Sequence, residues 1–314
     1  MNIIKTTFIS LAFTSLSSIA GDKVDEVLSV KIDMPITIEN VRGSISIEGW
    51  NKAQVSVKGE LDDKTEKFVF EKNSDGISIK VIVPQHLGFD RSSNNGSNLV
   101  IKVPTSSPVT FDGVSTHIKL NNLQNSTNIR SISGNVNANN LAKHIEVSTI
   151  SGNITATKLS GKVTLTSISG DIKSKDNSQR LRLENVSGNI TANSTANNVQ
   201  TNNVSGETTL KLAHIDDITI NSVSDDVKVE LTLNPNASVK ASSVSGDIYF
   251  KFNGSLNARF QLESNVNDDI INKLTQDIAK KAKYGPGAKL NFTVGKANAN
   301  VHVNTVSGDI EVSK

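Results

Sequence analysis

Acidic and amide side chains recur at one position of a repeated phrase that runs from SISGNV at 131–136 to TVSGDI at 305–310. If the copies stack, these side chains form a polar ladder on one outer edge. The ladder consists of Asn135, Asn153, Asp171, Asn189, Glu207, Asp226, Asp247 and Asp309. Such a ladder could bind a divalent cation or line the groove of a polysaccharide-cleaving β-helix enzyme. It could equally be a row of turns whose side chains hydrogen-bond along the stack.

The turn ladder is the favoured interpretation because asparagine interrupts most acidic neighbours, whereas hard cations are held by clustered carboxylates. Asp225–Asp226 and Asp268–Asp269 are the strongest places for a calcium ion. Other motifs point away from chemistry. His86, His117, His144, His214 and His302 show no HExxH spacing, and there is no G-x-S-x-G elbow or phosphate-binding glycine loop. We therefore assign no catalytic, cofactor-binding or metal-binding residue.

Aromatic side chains are scarce, at 4% of 314 residues, so little material exists for stacking on bases or sugars. The lone Trp50 could be a sugar platform, but an anchor in the core or in a cap is favoured. The chain has no cysteine, which excludes disulfides and thiolate sites. Its 33 basic and 31 acidic residues give a formal charge of +2, so no basic field for nucleic acid exists.

An 18-residue repeat organises most of the chain. The glycines that share this spacing are Gly134, Gly152, Gly170, Gly188 and Gly206. Outer copies carry Gly43, Gly246 and Gly308, and degenerate copies carry Thr116, Asp225 and Asp268 at the glycine position. Apolar residues two apart indicate strands, and a unit with two short strands buries its apolar face only by stacking. The sequence therefore predicts an all-β, β-helix-like solenoid with rungs of roughly 18 residues.

One spacing of three inside each copy breaks the alternation of the strands. It separates Leu165 from Ile168, for example, and we expect a bulge near Thr166–Ser167 that returns Ile168 to the interior. The glycine that follows is expected at a crowded corner or a turn of positive φ. Thr116 in its place favours crowding, because threonine does not readily adopt positive φ.

The organisation along the chain has three parts. Residues 1–20 have a lysine, an apolar stretch and a Ser18-Ile19-Ala20 cleavage pattern, which predicts a signal peptide and export to the periplasm or the cell surface. Residues 21–108 alternate like an antiparallel sheet and are expected to form an N-terminal β-sheet cap. Residues 109–314 form the predicted solenoid, in which apolar residues at 270, 271, 274, 278 and 282 predict a short helical insertion over 267–283. No later segment approaches a membrane span.

The SGDI and SGNI phrases, with NVRGSISIEGW at 40–50 and the closing VHVNTVSGDIEV at 301–312, resemble the bacterial putative-adhesin family of exported β-strand-repeat proteins. That family is a domain of unknown function without established catalytic residues. The resemblance therefore implies a non-enzymatic protein and transfers no site.

Together these observations favour an exported cell-envelope protein that is an adhesin or scaffold. It would bind a protein or polysaccharide surface through repeated polar contacts, and the open ends of a solenoid leave room for self-association. Two alternatives stay open: a periplasmic sensor or regulatory interaction protein, and a polysaccharide-active β-helix enzyme. An acidic cluster with arginine or lysine in one groove would favour the enzyme, and a single stoichiometric partner would favour the sensor.

Overall fold

The computed structural model describes residues 22–84, 96–266, 269–281 and 285–314, which contain β-strands and no helix. The predicted signal peptide, His86 and Asp268 lie outside these residues. No helix in the described ranges is long and apolar enough to cross a membrane. The strands are β1 (Lys23–Ser29), β2 (Ile36–Trp50), β3 (Gln54–Glu60), β4 (Lys67–Lys72), β5 (Ile77–Ile82), β6 (Ser97–Pro104), β7 (Val109–Leu123), β8 (Thr127–Ser133), β9 (Val136–Ser151), β10 (Ile154–Thr157), β11 (Ser160–Ser169), β12 (Ile172–Lys175), β13 (Ser178–Ser187), β14 (Ile190–Ser194), β15 (Asn198–Ser205), β16 (Thr208–Ser222), β17 (Val227–Ser245), β18 (Ile248–Phe252), β19 (Ala258–Ser264), β20 (Ile270–Asn272), β21 (Lys280–Lys281), β22 (Ala288–Val294), β23 (Ala299–Ser307) and β24 (Ile310–Ser313).

Each repeat is one rung whose two segments lie in two stacked parallel ladders. On the first face, Val163 of β11 lies between Ile145 of β9 and Leu181 of β13, at offsets of 18 residues in each direction. On the second face, β12 lies between β10 and β14 in the same register. Inward aliphatic side chains from both faces form a continuous core. The predicted all-β fold of stacked 18-residue rungs is therefore confirmed.

The glycine between the two faces occupies a corner that is both crowded and left-handed. Gly206 has φ of +121°, and a Cβ built there would lie 2.2 Å from the carbonyl oxygen of Gly188. Asp225 takes the same corner with φ of 78°. At the rung of Thr116, a Cβ on Gly134 would meet the Thr116 carbonyl oxygen at 2.2 Å. Both expected reasons for glycine thus act at this corner.

The prediction of a β-bulge at Thr166–Ser167 is wrong. The ladder continues from Val163 through Ser167, which pairs with Asn185, so Ser167 is buried and Ile168 is 45% exposed. Ser167 and Asn185 point inward because the backbone carbonyl groups of the corner glycines need hydrogen-bond donors. Asn185 Nδ2 donates to the Gly170 carbonyl at 2.9 Å, and Ser167 Oγ donates to that of Gly152 at 3.3 Å. Polar side chains therefore occupy the third inward position, and the aliphatic side chain after them points out.

The strands near the N-terminus belong to the same stack. One side of β2 pairs in parallel with β7, and its other side pairs in parallel with β5 and then β6. Antiparallel strands follow outward: β4 beside β5 on one face, and β3 then β1 beside β6 on the other. These antiparallel strands cover the parallel rungs at this end.

The other end is assembled out of sequence order. Strands β23 and β24 pair in parallel with β17 and β18 on one side, and with β19 and β20 on the other. The rung formed by β23 and β24 therefore lies between the rung of β17 and β18 and the rung of β19 and β20, although it comes last in the sequence. Strand β22 pairs antiparallel with β19 outside this rung.

The helical insertion predicted over 267–283 is wrong for its described residues, 269–281. Ile270 pairs with Ile310 as the start of another rung, and Ile278 is 83% exposed. The Asn272 side chain accepts from the amides of Leu274 and Thr275 at 3.0 and 3.3 Å, which fixes a turn. Asparagine competes in this way with helix formation, and strand pairing outweighs the helical spacing.

Candidate functional site

The polar ladder predicted after the corner glycines forms a row of turns that are hydrogen-bonded along the stack. Asn153 Oδ1 accepts from the Asp171 amide at 2.8 Å, and Asp171 Oδ1 accepts from the Asn189 amide at 3.0 Å. The same bond recurs for Asn135, Asn189, Asp226, Asp247 and Asp309. One oxygen of each of these seven side chains thereby accepts from the backbone of the next rung, as the turn-ladder interpretation expects. The Glu207 carboxylate instead accepts from the Thr209 and Lys228 side chains.

Carboxylates gather at the C-terminal end of this ladder, and each has local partners. Lys228 donates to Glu207 at 2.9 Å and lowers the pKa of that carboxyl. Asp225 Oδ2 accepts from the Gly206 amide at 2.7 Å. Tyr249 donates to Asp247 Oδ2 at 2.8 Å, and this bond, with burial, raises the pKa of Tyr249 to about 12.

The described residues form no cluster of side chains suited to metal binding. The described part of the chain contains no group of three or more histidine or acidic side chains suited to a metal ion. His117, His144 and His214 are exposed, and His117 Nδ1 accepts from the Asn135 amide at 3.2 Å. His302 is half-buried, and its Nδ1 has no hydrogen-bond partner in the described part of the chain. None of the four histidines that the structure describes belongs to a group of three or more such ligands.

Trp50 is an anchor at a strand end. Its Nε1 donates to the Gln54 carbonyl at 2.7 Å, which closes the turn between β2 and β3. The Lys52 ammonium lies 5.0 Å from the ring centroid, and that of Lys102 lies 6.0 Å away. Cations therefore flank the ring that a sugar platform would present.

A line of exposed aliphatic side chains is the surface feature that sequence reasoning placed in the core. We call it the aliphatic rail; its members are Val114, Ile132, Ile150, Ile168, Val186, Val204, Val223, Val244 and Val306. Each residue is between 44% and 50% exposed, and strand pairing sets all nine on successive rungs. The residue after every member is serine. The spacing of three in each repeat showed that the alternation is broken at this position, but not whether the aliphatic side chain after the break points inward or outward.

The outer side of the first face carries polar side chains in register. Thr164, Arg182, Gln200 and Thr219 lie in one column, and a concavity of about 340 Å³ opens beside them. Arg182 donates to Glu184 Oε1 at 2.8 Å and to Gln200 Oε1 at 2.9 Å, which holds its guanidinium in place.

The same concavity is basic. Lys162 and Arg180 lie directly opposite each other on adjacent rungs. Both are exposed, and Asp217 is the single carboxylate among the described residues that line the concavity. Such a surface offers fixed donors to an anionic or hydroxyl-rich partner.

A family model described as Toastrack DUF4097 matches residues 34–273. The chain belongs to this family. The resemblance drawn from the SGDI and SGNI phrases is thereby confirmed. The matched range of the Toastrack domain includes strands β2 to β20, eight of the nine rail residues and the basic concavity. No curated protein matches the chain.

Two solved structures are similar to this Toastrack protein at low identity. One is a putative cell adhesion protein from Clostridium sporogenes, with 11% identity, a TM-score of 0.29, and coverage of 93% of this chain and 99% of that one. The other is a putative adhesin from Bacteroides fragilis, with 12% identity, a TM-score of 0.32, and coverage of 93% and 97%.

Proposed function

We propose that this Toastrack protein is an exported, non-enzymatic binding protein of the cell envelope that works as an adhesin or scaffold. The observation that carries the proposal is the in-register repetition of polar side chains on the first face, where each rung adds a similar set of donors and acceptors. A partner that repeats along its length would gain affinity from many weak contacts without a deep pocket.

The chemistry of the concavity supports binding rather than hydrolysis. Glycoside hydrolysis uses a pair of carboxylates across the scissile bond. Among the described residues that line the concavity, Asp217 has no second carboxylate beside it. Lys162 and Arg180 supply cations, and Arg182, which is ion-paired with Glu184, supplies hydrogen-bond donors. The partner class that fits this lining is an envelope polysaccharide with carboxylate, phosphate or sulfate groups.

Co-sedimentation with insoluble envelope material tests this proposal. We expect the purified protein to pellet with the material, and Arg180→Ala/Arg182→Ala to bind at least tenfold more weakly. The matched control is Lys173→Ala/Lys175→Ala, which removes two exposed cations from the second face of a neighbouring rung. Equal binding by both double variants would overturn the role of the concavity.

Location is tested separately, by protease treatment of intact and opened cells. An adhesin must be cleaved on intact cells, whereas a scaffold of the periplasm is cleaved only after the envelope is opened. Retention of the protein in the cytosolic fraction would contradict both forms of the proposal.

A further inference from the structure

The aliphatic rail is an apolar surface that the fold itself does not need. Its nine side chains point away from the core, while the outward columns beside it are rich in serine, threonine and asparagine. An exposed Val or Ile contributes little to the stability of a strand stack that threonine, which is also β-branched, could not supply. Nine aliphatic residues at one outward position therefore indicate a surface that is buried against a binding partner.

The size of the rail fits a protein–protein interface. With strands about 4.8 Å apart, nine rungs give a line of about 40 Å. The nine residues together expose roughly 700 Å² of residue surface, backbone included, which is comparable in size with the largest apolar patch of about 300–600 Å² on a typical monomer. A standard interface buries about 800 Å² on each partner.

The spacing of the rail selects its partner. Side chains on one face of a single strand repeat about every 6.6 Å, and the turns of an α-helix repeat every 5.4 Å. Neither stays in step with a 4.8 Å rail over nine rungs. A second copy of this chain presents the identical spacing, so each Ile or Val can pack between two side chains of the other rail.

The charges of the polar ladder beside the rail are compatible with an antiparallel pair. In a pair whose two-fold axis crosses the rail, the polar ladders of the two copies lie on the same side and run in opposite directions. Asp247 and Asp309 of one copy then come opposite Asn135 and His117 of the other, and Asp226 comes opposite Asn153. Three of the five acidic rungs therefore meet an amide or an imidazole, whereas Asp171 and Glu207, near the centre of the rail, come opposite each other. The serines beside the rail are neutral and allow close approach.

We infer that the aliphatic rail is the interface of an antiparallel homodimer. This inference is independent of the proposed function, because the rail and the basic concavity are different surfaces. Sedimentation velocity of the full chain over a concentration series tests it, with a dimer expected at micromolar concentration.

Ile150→Lys/Val186→Lys adds two charges to the rail at exposed positions and is expected to give a folded monomer. The matched control is Thr155→Lys/Thr191→Lys, which adds the same charges to exposed residues of the second face in the same rungs and is expected to stay dimeric. Circular dichroism verifies that both variants fold. A monomeric wild type, or a dimer that persists in the rail variant, would overturn the inference.

The absence of cysteine allows a direct test of direction. Val114→Cys and Val306→Cys place single thiols at opposite ends of the rail, about 40 Å apart at 4.8 Å per rung. In an antiparallel dimer, neither variant alone forms a disulfide-linked pair rapidly, whereas an equimolar mixture does. Rapid cross-linking of Val114→Cys with itself would show a parallel arrangement and contradict the inference.

Discussion

The amide of Asp309 donates a 2.8 Å hydrogen bond to Oδ1 of Asp247, although 62 residues of chain separate them. The bond joins two rungs that are neighbours in space but not in sequence, because β23 and β24 fill the vacancy between β17–β18 and β19–β20. The inserted rung continues the core ladder, the polar ladder and the aliphatic rail without interruption.

The inserted rung gives a matched pair of valines that differ only in direction. Val303 is fully buried between Ala241 and Leu262, whereas Val306 is 44% exposed. We expect Val303→Ala to lower the free energy of unfolding by about 2 kcal/mol, because it removes two buried carbon atoms and leaves a cavity. Val306→Ala should change it by less than about 0.5 kcal/mol. Chemical denaturation at a protein concentration where the chain is monomeric measures both, and equal losses would contradict the assigned directions.

Alanine at the corner glycines is expected to be severely destabilising. Gly206→Ala places a Cβ 2.2 Å from the Gly188 carbonyl oxygen, so the two rungs must separate. Gly254→Ala is the control, since Gly254 also has positive φ, of +73°, but its Cβ would have its nearest neighbour at 3.7 Å. We expect a loss of about 1–2 kcal/mol for Gly254→Ala, from the left-handed backbone alone, and a larger loss for Gly206→Ala. Thermal denaturation of the two variants measures this difference. Similar melting temperatures for Gly206→Ala and Gly254→Ala would argue against crowding at the corner.

Asp62 makes stability depend on pH. Burial acts to raise the pKa of Asp62, but hydrogen bonds from the Arg42 guanidinium and the Lys64 amide outweigh it and lower the pKa. A carboxyl with a lowered pKa stabilises the fold above its unfolded value of about 3.9, and this contribution is lost as pH falls through the folded pKa. The free energy of unfolding should therefore decrease below about pH 4.

The Asp62→Asn variant tests this assignment. It should cost about 3 kcal/mol at neutral pH, because among the described residues it leaves Arg42 with only Asp63 as an acidic partner. It should also show a shallower loss of stability in acid. The control Glu71→Gln, at an exposed position, should keep the wild-type slope. An unchanged acid slope in Asp62→Asn would refute the role of this ion pair.

The phenol of Tyr249 reports on the polar ladder. Its hydrogen bond to Asp247 and its burial raise its pKa to about 12, so it should remain protonated at pH 11. In a Tyr284→Phe background, ultraviolet titration follows Tyr249 alone. Asp247→Asn keeps an oxygen for the Asp309 amide but removes the charge, and it should bring the pKa back toward 10. Titration of Tyr249 near pH 10 in the Tyr284→Phe protein would contradict the hydrogen bond between Tyr249 and Asp247.

Much of the architecture could be predicted from spacing alone. The 18-residue interval between Gly134 and Gly152 equals the pairing register of their rungs, and side chains two apart, such as Val163 and Leu165, are buried together. The turn ladder also followed from residue type, because Asn and Asp side chains hydrogen-bond readily to nearby amides.

The direction of Ile168 could not be predicted, because burial was inferred from polarity. Asn185 is buried because its side-chain amide donates to the Gly170 carbonyl. This hydrogen bond joins neighbouring rungs, so the residues next to Asn185 in the sequence do not reveal it. The order of the last rungs was equally hidden. SVSGDI at 243–248 and TVSGDI at 305–310 are nearly identical, so pattern alone does not say which neighbours either copy takes.

The out-of-order rung also has a kinetic consequence. A rung added at the end of a stack needs only its predecessor, but β23 and β24 must enter between two segments that are already present in the chain. Until residues 299–313 are available, β17–β18 and β19–β20 keep open strand edges that can pair with other chains. Contacts so distant in sequence also form slowly, because a long loop must close first. Refolding should therefore be limited by this last insertion, and that step is where the protein is most exposed to aggregation.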